Sequence, residues 1–95
     1  MSFRRRSNRH VAWAAYRDRS ASVIGSTGLP LQIFETEHGL RDFLTTGRRE
    51  DLSADLHAMS DEQFFALFRF VSSFFDCDAA DFTAMERRRL AGHRS

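Results

Sequence analysis

The sequence predicts an all-α fold, a compact bundle of about four short helices with one short extended or irregular segment near residues 31–35. Three observations point there. Apolar residues recur at three- and four-residue spacing in several separate stretches, and residues that start and stop helices bound those stretches. Ten Phe in 95 residues supply the bulk such a small domain needs, since at this length only roughly 60–65% of the unfolded chain's surface can be hidden. Hydrophobic residues at 42% and charged residues at 28% match a soluble globular chain, which argues against disorder and against a membrane-embedded protein.

The first helix is expected over residues 9–27, where Trp13, Tyr16, Val23 and Ile24 fall along one side and Asp18, Ser22 and Ser26 face away. Gly28 can take the left-handed backbone that closes a helix, and Pro30 prevents continuation. With Gly28 at the C′ position of a Schellman ending, Ile24 and Leu29 form the expected apolar contact. Leu31, Ile33 and Phe34 then lie in the extended or irregular connection. A lone strand over 31–35 is the alternative, although one strand without a partner is not independently stable.

Thr36 can cap a second helix from about Glu37 to Thr46, with Leu40, Phe43 and Leu44 inward and Gly47 as its stop. Arg48 to Asp51 form a polar turn. The stretch with Leu52, Leu56 and Met59 reads equally as a helical turn or a loop. Ser60 and Gln63 have capping-box spacing, and a third helix is expected from Asp61 to Phe75. Its Phe64, Leu67, Phe68, Phe70, Val71, Phe74 and Phe75 cover an arc of about 160°, with Ala66, Arg69, Ser72 and Ser73 largely opposite. The Phe64 to Phe75 run is about 18 Å long, short of a bilayer span, and Arg69 interrupts it. Asp78 can cap a fourth helix through about Ala91, with Phe82 and Met85 as a narrow inner stripe and an Arg-rich end expected to fray. The domain organisation is then a flexible basic arm at 1–8, one helical domain at 9–91 and a flexible tail at 92–95.

All 14 basic side chains are Arg and none is Lys, which removes the Walker A loop, the pyridoxal Schiff base and lysine nucleophiles together. Their distribution is uneven: residues 1–19 carry +5, residues 20–86 carry −8 and residues 87–95 carry +4, giving a total of +1. A basic arm and tail thus flank an acidic middle. Arg4, Arg5, Arg6 and Arg9 at the start of the first helix oppose its dipole, and a phosphate or nucleic-acid anion among them would relieve that conflict. The competing reading is a solvated arm, favoured by the poor aromatic interleaving near these arginines and by an acidic middle that repels a long polyanion.

Cys77 is the only cysteine, so no intrachain disulfide forms and a reducing cytoplasm fits best. The apolar stretch Val11 to Tyr16 is too short for a secretory signal. An Arg- and Ser-rich organelle transit peptide is the minor alternative. Asp76 and Asp78 beside Cys77 disfavour the thiolate that a nucleophile or zinc ligand must supply. His10, His38, His57 and His93 lack the helical separation that would aim two imidazoles at one metal. Asp76, Asp78 and Asp81 lack the glycine and the twelfth-position Glu of a calcium loop, and capping accounts for two of them. The Gly25 to Gly28 segment closes a helix and does not join a strand to one, unlike a nucleotide loop. No cofactor is expected.

Phe65 is the odd residue of the third helix, since it falls outside the main apolar arc between Ser72 and Arg69. It can contact another chain, with Arg69 one turn later stacking on it, or be covered by the Leu52 to Met59 segment. The resulting expectation is a non-enzymatic domain acting through protein contacts, as a homodimer or small adaptor, with Phe65 and Arg69 at the interface. The alternative is nucleic-acid or phosphate-ligand binding through the arginine-rich termini, with Arg4, Arg5, Arg6 and Arg9 as the anion-binding residues. An enzyme ranks third.

Overall fold

The longest helix forms where the sequence carries its clearest start signal. In the computed structural model, which describes residues 12–91, the Gln63 N–H donates to Ser60 Oγ at 3.2 Å and the Ser60 N–H donates to Gln63 Oε1 at 2.9 Å. These reciprocal bonds satisfy two of the N–H groups that a helix start leaves without partners. Five α-helices and a small ribbon occur in the order α1 (Trp13–Arg19), α2 (Ala21–Ser26), α3 (Glu37–Thr46), β1 (Arg48–Arg49), β2 (Ala54–Asp55), α4 (Asp61–Phe74) and α5 (Ala79–Ala91). Short 3-10 turns lie at Leu31–Phe34, Glu50–Leu52 and Leu56–Ala58. The chain is the mostly helical bundle its periodicity predicts. The predicted arm at 1–8 and tail at 92–95 fall outside the described residues.

The core is built around α4. Phe64, Leu67, Phe70, Val71 and Phe74 are buried on it, packed with Phe34, Phe43, Leu40, Leu44, Leu56 and Phe75. Ala66 corrects the expected pattern: it is 2% exposed rather than outward-facing, because α4 is covered on two flanks, by α2 and by the Phe82 side of α5. Phe68, expected in the inner arc, is only half-buried at that second flank.

The predicted first helix is two helices. At Ser20 (φ −101°, ψ 15°) the backbone leaves the helical region, and its N–H is shared between Tyr16 and Arg17 carbonyls, both at 3.1 Å. The resulting bend lets α2 lie on α4 while α1 keeps Tyr16 in the core, where its hydroxyl donates to the Phe70 carbonyl at 3.0 Å and also bonds to Ser73 Oγ. Gly28 is left-handed as expected (φ +70°), yet the ending differs from a simple Schellman motif. The Gly28 N–H donates to Gly25 at 3.4 Å, but the Leu29 N–H meets the buried Thr27 hydroxyl at 3.2 Å, and that hydroxyl donates to the Ile24 carbonyl at 2.6 Å. Thr27 therefore stands between the two backbone groups that the motif would join directly.

Residues 31–34 form a 3-10 turn and not a strand. Pro30 sets its entry, and the bonds from Ile33 N–H to Pro30 and from Glu35 N–H to Gln32 close within the segment, so no ladder partner is needed. Trp13 Nε1 donates to the Phe34 carbonyl at 2.9 Å and ties the turn to α1. The second predicted helix appears as α3 with the expected Thr36 cap, whose hydroxyl accepts from Gly39 N–H, and with Gly47 (φ +77°) as its stop. Residues 48–59, legible only as turn or loop, contain the antiparallel ribbon with Arg48 opposite Asp55 and Arg49 opposite Ala54. Arg48 reaches Asp55 at 3.2 Å and Arg49 grips Asp51 at 2.9 and 3.0 Å.

Candidate interaction surface

The antiparallel docking of α5 against α4 creates the surface on which the sequence-predicted interface residues lie. Phe82 of α5 sits among three rings of α4, with centroids 5.6 Å from Phe64, 5.9 Å from Phe65 and 4.8 Å from Phe68. Further along α5, Arg89 reaches back to the first residue of α4, its guanidinium 2.7 Å from the Asp61 carboxylate. Increasing numbers on one helix thus meet decreasing numbers on the other. Asp78 and Asp81 start α5 by exchanging backbone-to-carboxylate bonds at 2.9 and 3.1 Å, so both acids serve as caps.

Phe65 is 52% exposed. Its ring lies parallel to that of Phe82, at an interplanar angle of 3° with centroids 5.9 Å apart, and 6.2 Å from that of Phe64. Arg69 is exposed one turn later and does not stack on Phe65; the cation-π contacts among the described residues are Arg41 over Phe75 and Arg89 over Phe64. The group that stacks on Phe65 is the Phe82 ring and not the expected Arg69 guanidinium. Glu62, Phe65 and Arg69 are exposed at spacings of three and four residues, so they form one stripe along α4. Among the described residues neither Glu62 nor Arg69 takes part in an ion pair.

Arg89 is what the sequence reading missed. The basic end of the last helix was expected to fray, yet through Ala91 it is helical and Arg89 is 6% exposed. Its Nη1 donates to the Met59 carbonyl at 3.1 Å, its guanidinium lies 4.8 Å from the Phe64 ring centroid, and its own carbonyl is 2.8 Å from His57 Nδ1. The sequence holds a signal for this: Phe82, Met85 and Arg89 are spaced at i, i+3 and i+7, so Arg89 continues the inner stripe where Arg87 and Arg88 do not. A cation on a buried stripe must find acceptors, and the Met59 carbonyl and Asp61 provide them.

The remaining candidates are dispersed. Arg4, Arg5, Arg6 and Arg9, with His10 and His93, lie outside the described residues. His38 stands exposed 3.4 Å from Asp42, and Cys77 is half-buried against the core. Among the described residues no group of three or more potential metal ligands comes together, and no helix is long and apolar enough to cross a membrane. A groove of about 420 Å³ between α1, α2 and the first 3-10 turn has Ile24 and the exposed Leu31 in its lining, with Arg17, Asp18 and Glu35 beside them. Arg17 is already engaged there by Asp18 and by the Glu35 carbonyl, and the groove brings together no nucleophile with a base. Comparison with protein families, curated proteins and solved structures returns no match for this chain.

Proposed function

We propose that the protein is a non-enzymatic interaction domain that associates with a second copy of itself through the exposed face of α4. The observation that carries this reading is Phe65, half-exposed and already stacked parallel to Phe82. A ring held flat against a neighbour loses little side-chain freedom on association, and aromatic residues fixed in this way are the usual anchors of protein contacts. The α4–α5 pair that presents it is itself fixed by the capping box and by buried Arg89, so the surface is preformed. A reducing, cytoplasmic setting suits the single Cys77.

Sedimentation velocity from about 10 to several hundred micromolar tests this, because a contact centred on one helix lies at or below the roughly 1,200 Å² lower bound of stable interfaces and associates weakly. The wild type is expected to shift towards dimer with concentration, and Phe65→Ser to remain monomeric while keeping its helical circular dichroism. A wild type that stays monomeric throughout, or a Phe65→Ser variant that dimerises as readily, overturns the proposal.

A further inference from the structure

We infer that the second copy packs with its α4 antiparallel to the first, about a two-fold axis passing between residues 65 and 66, so that Glu62 of each chain pairs with Arg69 of the other. This rests on the self-association reading and adds its geometry. Glu62 and Arg69 are exposed, lack ion-pair partners among the described residues, and stand on the same flank of the Phe65 stripe. Seven residues, about 10.5 Å of helix, separate them, too far for a pair within one chain. Within α4, Arg69 has Phe65 and Ala66 one turn before it and Ser72 and Ser73 one turn after, so no acid answers it at helical spacing.

A two-fold axis perpendicular to two antiparallel helices maps each residue onto the opposite end of its partner while keeping it on the same flank. Centred at 65.5, it brings position 62 against 69 and 69 against 62, closing two identical ion pairs, and it brings the two Phe65 rings together beside the axis. A parallel arrangement would set Glu62 against Glu62 and Arg69 against Arg69, which is repulsive at both ends. The same stripe therefore attracts its copy in one direction and rejects it in the other. Pairs of this kind set register and orientation more than strength, while the rings supply the apolar contact.

Charge reversal gives a test that separates this geometry from self-association as such. Glu62→Arg alone places two Arg–Arg contacts in the homodimer, and Arg69→Glu alone places two Glu–Glu contacts, so each variant should dimerise about tenfold more weakly than wild type. Mixed in equal amounts, the two variants form a heterodimer with both contacts attractive, and native mass spectrometry together with sedimentation should show that heterodimer close to wild-type affinity. The double variant Glu62→Arg/Arg69→Glu should regain the homodimer, which controls for any loss from placing Arg near the start of α4. If the single variants dimerise as well as wild type, or their mixture is no tighter than either alone, the antiparallel register is wrong although Phe65-dependent association stands. A wild type monomeric at several hundred micromolar overturns both.

Discussion

Truncating Arg89 should destabilise the fold far more than its place in an arginine-rich helix end suggests. In Arg89→Ala the Met59 carbonyl, accepting from Nη1 at 3.1 Å in a buried setting, loses a charged donor, a loss worth about 1–3 kcal/mol. The contact of the guanidinium with the Phe64 ring at 4.8 Å also goes, at about 0.5–2 kcal/mol. Two further buried methylenes are removed, worth about 0.8 kcal/mol each. The Asp61 carboxylate adds little despite its 2.7 Å approach, because that side chain is 77% exposed and water replaces the lost partner, leaving less than about 1 kcal/mol. These losses share one side chain and do not simply add, so about 3 kcal/mol is expected for Arg89→Ala.

The ordering of variants is more diagnostic than the single value. Arg89→Met restores the apolar stem and removes a buried Nε that has no hydrogen-bond partner, but it still leaves the Met59 carbonyl and the Phe64 ring without the guanidinium, so it should cost less than Arg89→Ala, about 2 kcal/mol. Asp61→Asn should cost less than about 1 kcal/mol. Equilibrium urea unfolding followed by circular dichroism reads all three. For Arg89→Ala the midpoint should fall by about 1–3 M with an unchanged slope. An Arg89→Ala midpoint within experimental scatter of wild type would mean that the side chain is a solvated tail residue after all. An Asp61→Asn loss as large as that of Arg89→Ala would place the energy in the ion pair and refute the assignment to carbonyl and ring.

Gly28→Ala should destabilise by about 1–3 kcal/mol in the same assay, since a Cβ at φ +70° would lie 2.1 Å from Gln63 Nε2 and displace a member of the α4 capping box; a neutral result would show that Gln63 yields without loss. Thr27→Val, similar in shape but without the hydroxyl between Ile24 and Leu29, should cost about 1–3 kcal/mol, and Thr27→Ser should retain much of that contribution. The bond from Arg49 holds the Asp51 carboxyl below its ordinary value, so the contribution of this pair to the ribbon is present above the unfolded carboxylate pKa and is lost as pH falls through the lower folded one. A carboxyl-detected NMR titration should find Asp51 below the usual aspartate range and Arg49→Gln should move it upward; an unmoved Asp51 would exclude Arg49 as the cause.

What the sequence disclosed about this fold depended on how far its signals reach. The α4 start and the α3 boundaries were legible because Ser60 with Gln63 and Thr36 with Gly39 bond within three residues, and because Phe64, Leu67 and Val71 recur within one helix. The bend at Ser20 and the ribbon at 48–55 carry no comparable local mark. The bend serves packing against a helix some forty residues away, and the ribbon consists of two residue pairs whose sequence, Arg48–Arg49 against Ala54–Asp55, has no alternating apolar pattern. Phe65 was legible as a misfit because its wheel position is a property of α4 alone. That Phe82 stacks on it depends on α5 docking antiparallel seventeen residues further along. The same docking turns Arg89 inward while Arg87 and Arg88 stay outside, so three adjacent arginines of one chemical type divide by helical phase. One carries fold stability and two carry surface charge. A proposal that pooled the basic tail as a single anion-binding feature therefore loses Arg89 to the core, whereas the α4 stripe keeps both of its opposite charges on the surface, where a second chain can reach them.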